Sequence, residues 1–127
     1  MRIVVEIPID GEGPRSIKEL MDCLIGIWGR YLARNPFPKL YAVRPRYQQE
    51  PNAGEYEVWK SPAQTFESGW GDCDDLVLWR GAELVAIGED ASCQCQYVRG
   101  VGTLRMHVKI RRGDRRVEDP SVEVERR

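Results

Sequence analysis

Histidine is the scarcest informative residue: the chain of 127 residues has 1. A zinc site built on two histidines is therefore excluded, and any mechanism that needs an imidazole must use His107. An excess of one charge is also missing. There are 19 Lys plus Arg against 20 Asp plus Glu, a formal net charge of -1. A general nucleic-acid binder would carry a clear basic excess, so no nucleic-acid partner is expected. No run approaches the roughly 18–20 apolar residues that span a bilayer, so no membrane partner is expected either. The opening Met1-Arg2-Ile3-Val4-Val5-Glu6-Ile7-Pro8 is too short, and too soon interrupted by Glu6, to read as a secretory signal. A reduced, cytoplasmic setting is the expectation. Cys23, Cys73, Cys93 and Cys95 form no C-x-x-C pair, so neither a zinc ribbon nor a thioredoxin-type site is signalled.

What is present suits one domain over residues 1–127. A hydrophobic fraction of 42% is enough for a core. Residues 2–8 are rich in Ile and Val and predict a strand. Ser16-Ile17-Lys18-Glu19 has the form of a capping box. Apolar residues follow at Ile17, Leu20, Met21, Leu24, Ile27, Trp28, Tyr31 and Leu32. That spacing predicts an amphipathic helix ending before Asn35-Pro36, with Cys23 in its core face. Between Pro36 and Asp72 the periodicity disappears among prolines and aromatics, apart from a helical turn over Pro62 to Phe66.

A second helix is predicted from Asp72 to Ile87, with Asp72 and Asp75 as a capping-box analogue and Gly88 as its C-cap. The period then changes to two. Cys93, Cys95 and Tyr97 share one strand face, and Leu104, Met106, Val108 and Ile110 alternate with Arg105, His107, Lys109 and Arg111. Val117 to Val124 predicts a third strand, broken near Asp119-Pro120. The sum is an α+β domain.

Three residues now stand in a meaningful order. Cys73 opens a helix, where unpaired N–H groups and the macrodipole favour a thiolate. His107 is the polar member of an apolar-alternating strand. Asp119 follows the next turn, and adjacent antiparallel strands can set it beside His107. A Cys–His pair supplies nucleophile and base, and a carboxylate fixes the imidazole tautomer. Asp72, Asp74 and Asp75 oppose thiol ionisation unless they cap, point away or bind a cation. Taken singly, each residue also has a plain structural reading.

Gly71-Asp72-Cys73-Asp74-Asp75-Leu76 resembles the G-D-C-x-D signature of transglutaminase-like cysteine peptidases. Trp59-Lys60-Ser61-Pro62-Ala63-Gln64-Thr65 is similar to the W-x-x-P-x-E/Q-T/L stretch that precedes it in bacterial members. Met106-His107-Val108 and Val117-Glu118-Asp119-Pro120-Ser121 resemble the family's H-[VA] and D-P/N segments. The resemblance covers about residues 55–121. It implies a papain-like core, with an N-terminal helix and a Cys-bearing helix packed on a small antiparallel sheet.

It also implies a thiol protease or amidase with a Cys73–His107–Asp119 triad. Cys73 would be the nucleophile, His107 the base and then the acid, and Asp119 the orienter. Peptide or isopeptide substrates would react through a thioester, with water or an amine as acceptor. The second oxyanion donor, beside the Cys73 N–H, would be Trp59 or the competing Gln64; aromatic packing is an equal account of Trp59. No cofactor is required. Some bacterial members bind calcium through acidic residues at the positions of Asp72 and Asp74, although capping by Asp72 is the simpler account.

The alternative is a non-catalytic transglutaminase-like binding or assembly module, for example a virion component with a protein partner. The short chain, the aromatic, proline-rich loop and the Arg111, Arg112, Arg115, Arg116 hairpin support it. The same short, leaderless pattern fits a bacterial or phage protein.

Overall fold

The computed structural model describes residues 13–49, 58–100 and 103–126. The strand predicted over residues 2–8 and the turn at 101–102 lie outside them. The elements in chain order are helix α1 (Gly13–Arg34), helix α2 (Leu40–Val43), strand β1 (Arg46–Tyr47), helix α3 (Pro62–Ser68) and strand β2 (Trp70–Gly71). Helix α4 (Cys73–Ala86), strands β3 (Ala91–Gly100), β4 (Thr103–Arg112) and β5 (Val117–Glu118), and helix α5 (Pro120–Glu123) follow. The class is α+β. The main sheet is antiparallel in the order β3-β4-β5, and β1 and β2 form a separate parallel pair.

Helix α4 is the centre of the fold. Leu76, Val77, Leu78, Trp79, Ala82 and Leu84 are all almost wholly buried, so it is apolar nearly all round. Such a helix needs partners on every side. Cys73, Val77, Leu78 and Leu84 join Met21 and Ile25 of α1 and Cys93, Val108 and Ile110 of the sheet. Leu76 and Trp79 face the other way, onto Leu40 and Val124. Phe37 and Phe66 pack edge-on against Trp79.

Helix α1 begins at Gly13, so Ser16 lies inside its first turn and not at its cap. Pro14 explains the earlier start: a first-turn proline lacks only an N–H that would find no helical partner. The buried line of α1 runs through Met21, Ile25 and Gly29. Cys23 is consequently exposed, contrary to the core position expected from spacing. Ile27 and Tyr31 are also exposed, because the apolar stripe is wider than the surface α4 and β3 cover.

Close packing of α1 on α4 depends on two glycines. A Cβ on Gly29 would lie 2.4 Å from Val85 Cγ1, and one on Gly81 would lie 3.0 Å from Ile25 Cδ1. The third strand is only two residues long. At Asp119 the chain turns into α5, with Pro120 in the first helical position, where it cannot extend a strand ladder.

Candidate active site

The helix start comes first. Asp72 accepts from the Asp75 N–H at 3.2 Å, and the Asp75 carboxylate accepts from the Asp72 N–H at 3.2 Å. This reciprocal box fixes the first turn of α4 and sets Cys73 at its opening residue. Cys73 is 8% exposed and its sulfur lies 3.8 Å from Asp74 Oδ1.

Asp75 is buried beneath the turn. It also accepts from the Lys60 N–H at 2.8 Å. Burial, and then the neighbouring Asp72 charge, push its carboxyl up to about 8, against the hydrogen bonds from Lys60 and Asp72. The loop entering α3 is thereby tied to the helix that carries Cys73.

The second half of the site sits on β4 and β5. These strands pair at Ile110–Glu118 and Arg111–Val117. That register carries Asp119 back to His107, whose Nε2 lies 2.8 Å from Asp119 Oδ2. Asp119 Oδ1 accepts from the Ser121 hydroxyl at 2.6 Å and from its N–H at 3.2 Å. Burial raises the Asp119 carboxyl, but the Ser121 and His107 hydrogen bonds outweigh it and hold the group below the usual carboxylate range. An ionised carboxylate only accepts, so Nε2 carries the proton and Nδ1 is the basic nitrogen. Val108 and Ile110, which flank this stretch of β4, join the core cluster that also contains Cys73.

Sequence reasoning missed Tyr47. The parallel β1–β2 pair aligns it with Gly71, two residues before Cys73. Burial, and then the nearby Cys73, Asp72, Asp119 and Asp74, raise its phenol, which stays protonated. Tyr47 thus lies within electrostatic reach of both Cys73 and Asp119. No local pattern singles it out, because only the β1–β2 pairing brings it there. Ser121 was missed too, although its place two residues after Asp119 is a common turn signal.

The remaining expected residues have other surroundings. Trp59 packs against the cluster that contains Cys73. Gln64 is exposed, and its Oε1 accepts from the Ser61 N–H at 2.8 Å, completing the capping box of α3. The Ser61-x-x-Gln64 spacing already carried that signal. The two residues expected to flank a calcium ion, Asp72 and Asp74, both have protein partners. Asp72 caps α4, Asp74 faces the thiol, and the described residues contain no group of three His, Cys, Asp or Glu that could hold a metal ion. Among the described residues, no helix is long and apolar enough to cross a membrane.

These features define an α+β domain with a helix-initial cysteine and a strand-borne histidine bonded to the aspartate that follows β5. No protein-family model matches the chain, and no curated protein or solved structure matches it.

Proposed function

We propose that the chain is a thiol-dependent acyl-transfer enzyme of the transglutaminase-like type, with a papain-like core, cleaving peptide or isopeptide bonds. The observation that carries this reading is the His107 Nε2–Asp119 Oδ2 bond of 2.8 Å, which leaves Nδ1 as the base. Cys73 turns its thiol from Asp74 to that nitrogen and loses its proton. The thiolate attacks the substrate carbonyl carbon and the C–N bond breaks. His107 protonates the leaving amine, leaving a thioester. Water, or an amine, then attacks the thioester with His107 again as base. The Cys73 N–H supports the developing oxyanion from the helix start, and the protonated Tyr47 phenol is our second donor. No step is routed through a metal.

The test is the rate at which chloroacetamide alkylates each cysteine. Cys23 is the more exposed and Cys73 the more buried, so exposure alone ranks them in the wrong order for catalysis. The expected result is Cys73 reacting faster than Cys23, with His107→Ala abolishing the difference. A crystal structure of the alkylated protein should place the sulfur within about 4 Å of His107 Nδ1. Sulfur and ring on opposite faces of β4, or a Cys73 rate indifferent to His107→Ala, would sink the proposal. The non-catalytic assembly module would then be preferred, with the exposed Ile27 and Tyr31 of α1 as its surface.

A further inference from the structure

Helix α1 carries more apolar surface than its own fold covers. Its 22 residues run about 33 Å. Met21, Ile25 and Gly29 form the line that packs on α4. Lys18 and Asp22 form a second line, which closes on β3. There Asp22 Oδ1 accepts from the Cys93 N–H at 2.7 Å, and the Cys93 thiol donates to the Lys18 carbonyl oxygen at 3.5 Å. A third line remains. Leu20, Leu24, Ile27 and Tyr31 follow one another at steps of four, three and four. That is the spacing of a coiled-coil seam, which keeps one stripe turned toward a partner helix.

The stripe is only partly covered. Leu20 and Leu24 are half-buried, whereas Ile27 is 44% and Tyr31 50% exposed. Trp28 stands edge-on to Tyr31 with ring centroids 5.8 Å apart and steadies its ring. Contiguous exposed apolar residues mark an interaction surface, whereas scattered ones do not. Charge selects the occupant. Exposed Glu19 lies in the N-terminal half of α1, and exposed Arg30 and Arg34 lie in its C-terminal half. Arg34 stands at the next step of the stripe, and Glu19 and Arg30 flank it. A second copy laid antiparallel, with a two-fold axis at Ile27, sets Ile27 against Ile27 and Cys23 against Tyr31. It also brings Glu19 of each copy beside Arg34 of the other, twice by symmetry. A parallel arrangement would set Arg30 and Arg34 against their own copies.

We propose that α1 is a homodimerisation helix. Two copies of this chain pair antiparallel through Leu20, Leu24, Ile27 and Tyr31, and Glu19–Arg34 pairs between the copies fix the register. Apolar contact supplies the affinity, and the charges supply the orientation. The pairing uses no residue of the Cys73 site, so the dimer and the chemistry proposed above stand or fall separately.

Sedimentation equilibrium of the full chain, over about 1–200 μM, should give a mass that rises from one chain to two. Ile27→Asp should weaken association at least about ten-fold. Ile27 is exposed, so the variant should keep the wild-type circular dichroism. Glu19→Arg and Arg34→Glu should each weaken association about five-fold or more, because each places like charges together twice. The double variant should return to within about two-fold of the wild type. A contact between the two residues across copies is what predicts that recovery. In a Cys23→Ser background, Ile27→Cys should form a disulfide-linked dimer on mild oxidation. Ala33→Cys, exposed but turned away from the stripe, should not. A chain that stays monomeric throughout the range overturns the proposal. So does association that survives Ile27→Asp, or a double reversal as weak as the single ones.

Discussion

Asp119 and Asp75 show how differently two carboxylates behave in one fold. Asp119 is ionised, anchored by Ser121, and orients His107. Asp119→Asn retains the shape but lets the imidazole adopt the wrong tautomer. We expect Cys73 alkylation to fall by about ten-fold or more, with the urea unfolding midpoint little changed. Asp75 titrates in the opposite sense. Its folded carboxyl lies at about 8, above the ordinary value of 3.8. Between these values the native state binds the proton that the unfolded chain releases. This group's contribution is therefore complete below about pH 4, declines as pH rises, and is lost above about pH 8. Asp75→Asn should flatten that decline in urea midpoints measured from pH 4 to 9; an unchanged slope would refute the assignment.

Between elements, the decisive contact is α1 against α4. Gly29 has no room for a side chain because Val85 occupies the space a Cβ would need. Gly29→Ala should force the helices apart and cost about 1–3 kcal/mol by urea denaturation. The apolar spacing predicted that α1 is an amphipathic helix, but not which line of it is buried. Ile25 is in the core while Ile27 and Tyr31 are exposed, because the position of α4 makes that choice. Helix α4 was easier to read. Its Asp72–Asp75 box and its apolar density are both local signals, and both are realised.

Across the whole molecule, a buried ionic network joins segments that are distant in sequence. Arg80 Nε donates to Glu118 Oε2 at 2.6 Å, and its Nη1 donates to Glu83 Oε1 at 3.1 Å. Tyr41 also donates to Glu118, and the Leu40 N–H donates to Glu83 Oε2 at 2.7 Å. The network holds α2 and β5 on α4, and β5 is the strand that delivers Asp119. Arg80→Met strips partners from two largely buried carboxylates and should cost about 3 kcal/mol. Arg116→Ala, in the exposed hairpin pair with Asp114, should leave the urea midpoint unchanged. Similar losses from the two variants would contradict this description.

Local physics determined much of this protein before any contact was known. Capping boxes, apolar periods and the change to a period of two are written in neighbouring residues, so α4, β3 and β4 were legible as elements. The pairing of His107 with Asp119 was legible as well, since one turn and a strand register connect them. Tertiary structure decided the rest. Tyr47 reaches the cysteine helix only through the β1–β2 pair, and Gln64 serves its own helix cap. Cys23 faces solvent because α4 covers the neighbouring line of α1. Cys93 is buried against Lys18 and Asp22, some seventy residues earlier, only because α1 folds over β3. Short-range signals set each element's conformation, whereas long-range burial sets which of its faces meets which neighbour, and so which side chains share a site.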